Sequence, residues 1–170
     1  MTSAEKTGSE KTGSEKRDLN LVSMLWAGPE LASDIAGLHA GLFDEPWDGP
    51  SVTKLLEHPG ATTLIAKAGF PKASVGFVMG QIAADDAELL SMGVAKEWQG
   101  NGLAKKLMEG LERALKRSGV KRLFLEVAED NPPALAVYKA RGFAEITRRK
   151  AYYARKGSPA VDAVVMSKNL

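Results

Sequence analysis

The 170-residue chain contains no cysteine and only two histidines, His39 and His58. Without a thiol, the protein cannot form disulfides, thiolate metal sites or a covalent acyl-cysteine intermediate. Two histidines are too few for a histidine-rich metal site, so we expect no metal, and we expect both imidazoles at the surface or at helix caps.

The chain also lacks a long apolar run: none reaches the roughly 18 residues that a membrane span requires. Its first residues are polar, where a secretory signal would be apolar. Lys and Arg total 23 against 21 Asp and Glu, which is far from the dense positive charge of nucleic-acid-binding surfaces. We therefore expect a soluble, cytoplasmic protein with neither a membrane nor a nucleic acid as partner.

The first part of the chain differs in composition from the rest. Residues 5–16 repeat the polar unit EKTGS and contain no apolar side chain that could stabilise an ordered conformation. Hydrophobic residues make up 44% of the whole chain, which is enough for a buried core. We predict a disordered tail over residues 1–17 and a single folded domain over residues 18–170.

Hydrophobic periodicity predicts alternating strands and helices after the tail. The predicted strands lie at 19–26, 62–66, 74–83, 87–94, 122–127, 145–151 and 160–166. The predicted helices lie at 28–42, 51–58, 103–118 and 132–141. This order favours an α/β or α+β fold built on a mixed sheet of about six or seven strands.

Residues 94–104 connect a predicted strand to the most strongly amphipathic helix through Gly100 and Gly102. Such glycines let backbone N–H groups converge, and the helix start adds unpaired N–H groups and a positive dipole end, which together suit a phosphate. The segment is not a P-loop, since no Gly-Lys-Ser/Thr follows, and it lacks the third glycine of a dinucleotide fingerprint. Taken alone, the pattern is equally typical of a flexible strand-to-helix turn.

The order Gln99-x-x-Gly102-x-Ala104 resembles the acetyl-CoA binding motif, Gln/Arg-x-x-Gly-x-Gly/Ala, of the GCN5-related N-acetyltransferase (GNAT) family. The similarity covers residues 19–167 and includes the strand 123–127, Asn131, the helix that carries Tyr138, and Gly142-Phe143. It implies the GNAT fold, a central and mostly antiparallel sheet of about six or seven strands flanked by about four helices. The sequence departs from the family at Lys96, where proline is usual, and at Val161, where an acidic residue is frequent.

The resemblance implies an acyltransferase that uses acetyl-CoA as cosubstrate, with Glu126 as general base and Tyr138 as general acid. Transfer to the amine would be direct within a ternary complex, because no cysteine and no convincing Ser-His pair could hold the acetyl group. A phenol suits the acid role since its ordinary pKa, about 10, is near that of the leaving thiol. The residues expected to bind the cosubstrate are Met92, Val94, Gln99, Gly100, Asn101, Gly102, Leu103, Ala104 and Asn131.

Each of these assignments has a purely structural alternative. Glu126 could be a strand residue that faces solvent, Tyr138 a helix residue half packed in the core, and Asn131 an N-cap of the helix that follows it. A cap and a contact to coenzyme A are compatible at the same position.

Within the family, the sequence resembles in particular the bacterial enzymes that acetylate the N-terminal alanine of small-subunit ribosomal protein eighteen. The matching residues are Phe43, Pro46-Trp47, Tyr152-Tyr153 and 162–166. This implies a protein N-terminus as substrate, bound by Trp47, Glu88, Ser91, Tyr152 and Tyr153.

The predicted substrate residues also have alternatives. Trp47 is at least as compatible with a loop anchor packed on the core, and Glu88 and Ser91 with ordinary polar residues near a turn. Adjacent residues of a strand point to opposite faces, so we expect one tyrosine of the pair to meet the peptide groove.

Two other functions remain open from the sequence. The same coenzyme site could serve a small-molecule amine or a lysine side chain, although lysine costs roughly 3 kcal/mol more to deprotonate at neutral pH than an α-amine. A non-catalytic coenzyme A-binding module would keep the glycine loop, but it would not require both Glu126 and Tyr138.

Overall fold

A computed structural model describes residues 16–170, so nearly all of the predicted tail lies outside the described residues. The described chain folds into seven strands and four α-helices. The strands are β1 Ser23–Trp26, β2 Ala61–Ala68, β3 Ala73–Ala83, β4 Asp86–Val94, β5 Arg122–Ala128, β6 Ala144–Arg155 and β7 Ser158–Asn169. The helices are α1 Ala32–Leu42, α2 Gly49–Glu57, α3 Leu103–Arg117 and α4 Pro132–Ala140.

All seven strands belong to one sheet in the order β1-β2-β3-β4-β5-β7-β6. Every neighbouring pair is antiparallel except β4 and β5, which run parallel. A parallel pair needs a crossover, and α3 supplies it. The predicted mixed, mostly antiparallel sheet with four helices is therefore confirmed.

The sheet carries a hydrophobic core on each face. The larger core packs α3 and α4 against the sheet and includes Leu107, Leu111 and Leu125, all with at most 1% of their surface exposed. The smaller core packs α1 and α2 against the opposite face around Ile35, Val52 and Phe77. Which core a strand residue joins therefore shows which face of the sheet it occupies.

The central strands separate at one end of the parallel pair. The ladder between β4 and β5 begins at Asp86 and Arg122 and ends at Leu89 and Leu125, although β4 continues to Val94 and β5 to Ala128. A register shift in the pairing of β3 with β4 lies just beyond this point, at Met79/Gly80. We call the opening between the two strand ends the split, and it forms the geometric centre of the candidate site.

The structure corrects three of the predicted boundaries. Leu19–Leu21 forms a 3₁₀ turn rather than strand, because the Asp18 carboxylate accepts a hydrogen bond from the Asn20 amide at 2.8 Å. Gly49 and Pro50 begin α2, because the Asp48 carboxylate caps the helix at the Ser51 amide. The last two strands extend toward each other until only residues 156–157 separate them, with Gly157 at a φ of 71°.

Candidate active site

The glycine loop presents the N-terminus of α3 without a side-chain cap. Gly102 is the N-cap residue and has no side chain that could accept a hydrogen bond from the first turn. The first helical bond in this turn runs from the Lys106 amide to the Gly102 carbonyl at 3.1 Å, so the amides of Leu103, Ala104 and Lys105 have no intrahelical acceptor. These donors, with the positive end of the helix dipole, form a site that favours an anion.

The backbone of the loop requires glycine at two positions. Gly100 has a φ of 73° and Gly102 a φ of 87°, both in the left-handed region that other residues occupy only at a cost. No atom lies within 4 Å of the place where a Cβ of Gly100 would stand, so the backbone conformation, and not crowding, requires that glycine. Of the two readings of the sequence pattern, this geometry favours the phosphate site.

Side chains of the loop hold its shape. Gln99 donates from Nε2 to the Val94 carbonyl at 2.9 Å, which ties the loop to the end of β4. Asn101 donates from Nδ2 to the Gln99 carbonyl at 2.9 Å. The anion-binding donors of this loop are therefore mainly backbone groups, with Gln99 and Asn101 as their support.

The residue just before the folded region also contacts the loop. The Arg17 amide donates to Oδ1 of Asn101 at 2.9 Å, and its guanidinium stacks 5.6 Å from the centre of the Trp98 ring. Arg17 belongs to the segment predicted to be a disordered tail, and no contact is predicted for it from the sequence. A single arginine next to a low-complexity repeat carries no pattern by which its contact could have been recognised.

The end of β4, which precedes the loop, carries Met92 and Val94, which are predicted to bind the cosubstrate, and Ser91, which is predicted to bind the substrate. Ser91 pairs with Met79, a member of the smaller core, and Met92 pairs with Val78, a member of the larger core. Beyond Leu89 only the β3 side of β4 carries a ladder, so the other edge of this segment faces the split. Backbone donors and acceptors of residues 91–94 are thus available to an elongated polar ligand.

Glu126 faces the split from the side of α1 and α2. Its neighbours Leu125 and Val127 both belong to the larger core, so strand alternation places Glu126 on the opposite face. The carboxylate is not free in solvent, because its Oε1 accepts a hydrogen bond from Nη1 of Arg149 at 2.8 Å. The Glu126 side chain remains 24% exposed within this ion pair, so its role as a base and its solvent-facing alternative both stay predictions.

Tyr138 approaches from the other face. It lies in the larger core with 7% of its surface exposed and packs edge to face on Phe143, with ring centres 5.8 Å apart. Burial, with a further contribution from the nearby Tyr153 phenol, raises the pKa of Tyr138 to about 12. Tyr138 is therefore a weaker acid than a free phenol, and its role as general acid stays a prediction.

The tyrosine pair does not alternate between faces as predicted. The rings of Tyr152 and Tyr153 contact each other edge to face with centres 5.1 Å apart, which a regular strand would not allow. The cause is a break in β6 at Ala151, which has a φ of 50° and coincides with a register shift against β7. The Asp162 carboxylate stabilises this break by accepting a hydrogen bond from the Ala151 amide at 2.9 Å.

An arginine stacks on each tyrosine and pairs with an acid across the site. Arg149 lies 4.4 Å from the centre of the Tyr152 ring, and Arg155 lies 5.7 Å from that of Tyr153. Arg155 also forms a two-pronged ion pair with Asp130 at 2.6 and 2.8 Å. This pair raises the pKa of Arg155, with a smaller contribution from the charge of Asp44.

Neither arginine was recognised from the sequence. Strand residues of the type Arg-Arg-Lys are ordinary on a solvated face. The register sets Thr147, not Arg149, level with Glu126, so the long arginine side chain reaches Glu126 diagonally across β7. Asp162 lies in the segment 162–166 that resembles the related enzymes, but its support of the break at Ala151 is not predicted from the sequence.

Trp47 is an anchor of the loop that connects α1 and α2. Its ring stacks 4.7 Å from that of His39, whose other face stacks on Phe43 at 4.0 Å. The Trp47 amide donates to Nδ1 of His39 at 3.2 Å. His39 is only 3% exposed, so its prediction as a surface or capping residue is wrong, and burial lowers its pKa.

The remaining predicted residues fit local structural roles. Asn131 caps α4 by accepting a hydrogen bond from the Ala134 amide at 3.2 Å, as its structural alternative required. His58 caps the end of α2, and its Nδ1 accepts from the Gly60 amide at 3.0 Å. Glu88 is exposed on β4, on the same face as Glu126, since Ala87 and Leu89 both belong to the larger core.

Two negative findings apply to residues 16–170. In that part of the chain, no helix is both long enough and apolar enough to cross a bilayer. Nor does it contain a group of three or more His, Asp or Glu residues arranged to hold a metal ion.

Comparison with known families agrees with this geometry. A model of the family described as the acetyltransferase (GNAT) family matches residues 32–143. These residues extend from α1 to the end of α4 and include the glycine loop, Glu126 and Tyr138.

Curated relatives match over much of the same region. The ribosomal protein bS18-alanine N-acetyltransferase of Haemophilus ducreyi is 34% identical over 122 residues, which cover 72% of this chain and 82% of the relative. The enzyme of the same name from Escherichia coli (strain K12) is 36% identical over 91 residues, covering 54% of this chain and 61% of the relative.

Solved structures share the fold. The ribosomal-protein-S18-alanine N-acetyltransferase from Escherichia coli superposes with a TM-score of 0.80 at 24% identity, over 87% of this chain and 93% of that one. Arabidopsis thaliana NAA60 in complex with acetyl-CoA superposes with a TM-score of 0.75 at 17% identity, over 88% of this chain and 98% of that one.

Proposed function

The chain belongs to the GNAT family of acetyltransferases, and from this premise we propose that it acetylates the α-amine of a protein N-terminus. The substrate we propose is the N-terminal alanine of ribosomal protein bS18, on which the relatives named above act. Members of this family use acetyl-CoA, so the chain is an acyltransferase. The observation that carries the proposal is the split between β4 and β5, with Glu126 on one face of the sheet and Tyr138 in the core on the other face.

The residues around the split fit acetyl-CoA. The uncapped first turn of α3, with the amides of Leu103 and Ala104, suits the pyrophosphate, and the left-handed Gly100 and Gly102 let backbone donors approach it. The edge of residues 91–94 suits an amide-bearing arm, because its backbone groups can pair with amides. Bound there, acetyl-CoA supplies an acetyl thioester whose carbonyl carbon accepts the amine.

Glu126 receives the proton that the amine must lose. As the nitrogen bonds to the acetyl carbon, its N–H becomes acidic, so even a weakly basic carboxylate can accept the proton directly or through water. The C–S bond breaks in the same transfer, and the sulfur leaves as a thiolate. Oε1 of Glu126 is held by Arg149, and Oε2 is the oxygen we assign to the proton.

Tyr138 stabilises the leaving thiolate by donating a hydrogen bond. With a pKa of about 12, the phenol remains protonated at any physiological pH, whereas a thiol with a pKa near 8.5 is a stable leaving group with or without the proton. We therefore assign Tyr138 the role of hydrogen-bond donor to sulfur, and complete proton transfer is not required. Its burial strengthens such a bond by excluding competing water.

The two walls of the peptide groove come from different parts of the chain. One is the loop 43–48, which the stack on His39 fixes, and the other is the end of β6 with Tyr152 and Tyr153. An extended N-terminal segment lying between these two walls would place its first nitrogen near Glu126.

The test measures release of coenzyme A from acetyl-CoA with two peptides. The first has the N-terminal sequence of bS18 with a free N-terminal alanine and every lysine replaced by arginine. The second has a blocked N-terminus and one internal lysine. We expect release with the first peptide alone, and mass spectrometry should place the acetyl group on its N-terminal nitrogen.

The other outcomes each overturn the proposal in a different way. Release with the second peptide alone would assign the enzyme to lysine side chains. Release with neither peptide, but with small amines, would assign it to small molecules. If acetyl-CoA binds and no amine reacts, the protein is a binding module.

A further inference from the structure

The guanidinium of Arg149 contacts both Glu126 and the ring of Tyr152. Its Nη1 donates to Glu126 at 2.8 Å, and its Cζ lies 4.4 Å from the centre of the Tyr152 ring. The arginine thus connects the proposed base on β5 with the proposed groove on β6. The reaction proposed above gives no role to a positively charged side chain beside Glu126.

We propose that Arg149 is a positioning and selectivity residue, which neutralises Glu126 in the resting site so that the enzyme binds the neutral amine and rejects the ammonium ion. This inference rests on the proposed function, because it concerns how the same site admits its amine. It adds a step that the family assignment does not contain, namely the choice between two protonation states of the substrate.

The charges that face Arg149 support this role. Glu126 is the nearest, Tyr152 lies against the guanidinium, and Glu88 on β4 is close enough to contribute. Together these groups raise the pKa of Arg149, the hydrogen bond to Glu126 being the largest cause. Tyr153 also interacts with Glu126, which contributes to raising the pKa of that phenol after the effect of burial.

An ion pair offers an arriving cation little attraction. Glu126 and Arg149 together carry no net charge, whereas Glu126 without Arg149 would be a bare carboxylate with exposed Glu88 on the same face. A bare carboxylate would bind an ammonium ion and hold it in the form that cannot attack a carbonyl. With Arg149 present, a neutral amine can still contact Oε2 through its N–H group.

A site that rejects ammonium ions affects α-amines and lysine side chains differently. An α-amine has a pKa of about 7.7–8.0, so a substantial fraction is neutral at pH 7.5, whereas a lysine side chain with a pKa of about 10.4 is almost entirely charged. A site that rejects the charged form therefore remains accessible to protein N-termini. It also avoids occupation by the far more numerous lysine side chains.

The experiment measures the pH dependence of kcat and KM separately, with the alanine peptide at saturating acetyl-CoA. In the wild type, we expect KM to fall as the pH rises toward the pKa of the peptide amine, by close to tenfold per pH unit below that value, while kcat stays flat. In Arg149→Gln, the ammonium form also binds, so KM should lose most of this dependence. The dependence should move into kcat, which then rises with pH.

A second measurement uses inhibition by the blocked lysine peptide at pH 7. We expect weak inhibition of the wild type and inhibition about fivefold stronger in Arg149→Gln, a modest factor because the arginine side chain is 52% exposed. Arg149→Lys keeps the charge and should restore the wild-type pattern in both measurements.

Arg148 provides the matched control. It is the preceding residue of β6, its side chain is 45% exposed, and it pairs with Glu145 and Glu129 instead of Glu126. Arg148→Gln should leave both pH profiles unchanged. A merely structural contribution of Arg149 would change kcat or KM by a factor that is constant with pH.

The outcomes separate this inference from the proposed function. If the wild type acetylates the alanine peptide but Arg149→Gln keeps the wild-type KM profile, the role of Arg149 is wrong and the proposed function stands. If the wild type acetylates only lysine or small amines, the proposed function itself fails, whatever the variants do.

Discussion

The Trp47 amide and Nδ1 of His39 form a hydrogen bond of 3.2 Å, in which the imidazole is the acceptor. An imidazole nitrogen can accept only while it carries no proton, so the bond exists only with neutral His39. Burial favours this neutral form by lowering the pKa of His39. One ring thus supports the loop 43–48 both by stacking and through a bond that mild acid abolishes.

We predict that the protein becomes less stable below about pH 6.5, the ordinary pKa of histidine, because protonated His39 cannot accept the bond from this loop. A lowered pKa in the folded state means that the unfolded chain binds the proton first, so the contribution is complete above pH 6.5 and decreases as the pH falls toward the lower folded value. Thermal unfolding at several pH values between 7.5 and 5.5 would show a falling Tm.

The variant His39→Phe should remove that part of the pH dependence while retaining a stacked ring. It loses the acceptor for the Trp47 amide and should cost about 1 kcal/mol at pH 7.5. His58→Gln is the comparison, since His58 accepts a similar bond at Nδ1 from the Gly60 amide but is exposed, whereas His39 is buried. If His58→Gln flattened the profile and His39→Phe did not, the assignment to His39 would be wrong.

A carboxylate placed in the first turn of α3 should compete with the cosubstrate for the free amides. We expect Ala104→Glu to weaken acetyl-CoA binding by tenfold or more, because its charge occupies the anion site and repels the phosphates. Ala104→Gln has nearly the same size without the charge and should bind within about threefold of the wild type. Isothermal titration of both variants with acetyl-CoA makes the comparison, and equal losses would attribute the effect to bulk.

Loss of the Tyr138 hydroxyl should affect turnover and leave cosubstrate binding nearly unchanged. We expect Tyr138→Phe to lower kcat by about a hundredfold, in the lower range for a group that assists a leaving group, with the Kd for acetyl-CoA within about twofold. The aromatic packing on Phe143 is retained, so the Tm should change little. Tyr152→Phe is the control for a phenol in the groove, and an equal loss of kcat there would remove the special role of Tyr138.

Glu112 should be the carboxylate on which stability depends most. It is 6% exposed on α3, forms a two-pronged bond to Arg141 at 3.0 Å, and accepts a further bond from Lys168 at 2.8 Å. Burial alone would raise the pKa of Glu112, but the bonds from the two cations outweigh it and lower that pKa.

The variant Glu112→Gln leaves Arg141 and Lys168 as partly buried charges without this partner, which should cost about 3 kcal/mol. The stabilisation by Glu112 is complete above its unfolded pKa, near 4.3, and is lost as the pH falls through the lower folded value. Urea unfolding at pH 7 and pH 3 would therefore show a large difference between variant and wild type at pH 7 and a smaller one at pH 3. An equal difference at both values would exclude the ionic explanation.

The elements of this fold were largely predictable because their signals are local. The heptad-like spacing of Leu103, Leu107 and Leu111 predicts α3, and Asn131 before Pro132 predicts the start of α4. The errors at 19–21 and 49–50 come from the caps by Asp18 and Asp48, because aspartate is also common in turns and does not by itself mark the start of a helix. The family resemblance also implied a mixed, mostly antiparallel sheet, but the strand order, with β7 between β5 and β6, is known only from the structure.

The candidate site was predictable where one residue type suffices, and not where two distant segments meet. Gly100 and Gly102 are recognisable since a left-handed turn needs glycine. The pair of Glu126 with Arg149 joins residues on strands that are not sequence neighbours, so it follows only from the register of β5, β7 and β6. The contact between the two tyrosines depends on one left-handed alanine, which no sequence rule marks.

The split also gives this sheet a pair of unpaired edges in its interior. Exposed strand edges are a hazard, because another chain can extend the sheet and begin aggregation. Here the opening closes at Leu89 and Leu125, so an intruding strand would have room at one end only. The unpaired edges are therefore short, residues 90–94 on β4 and 126–128 on β5, which limits the length over which another chain could extend the sheet.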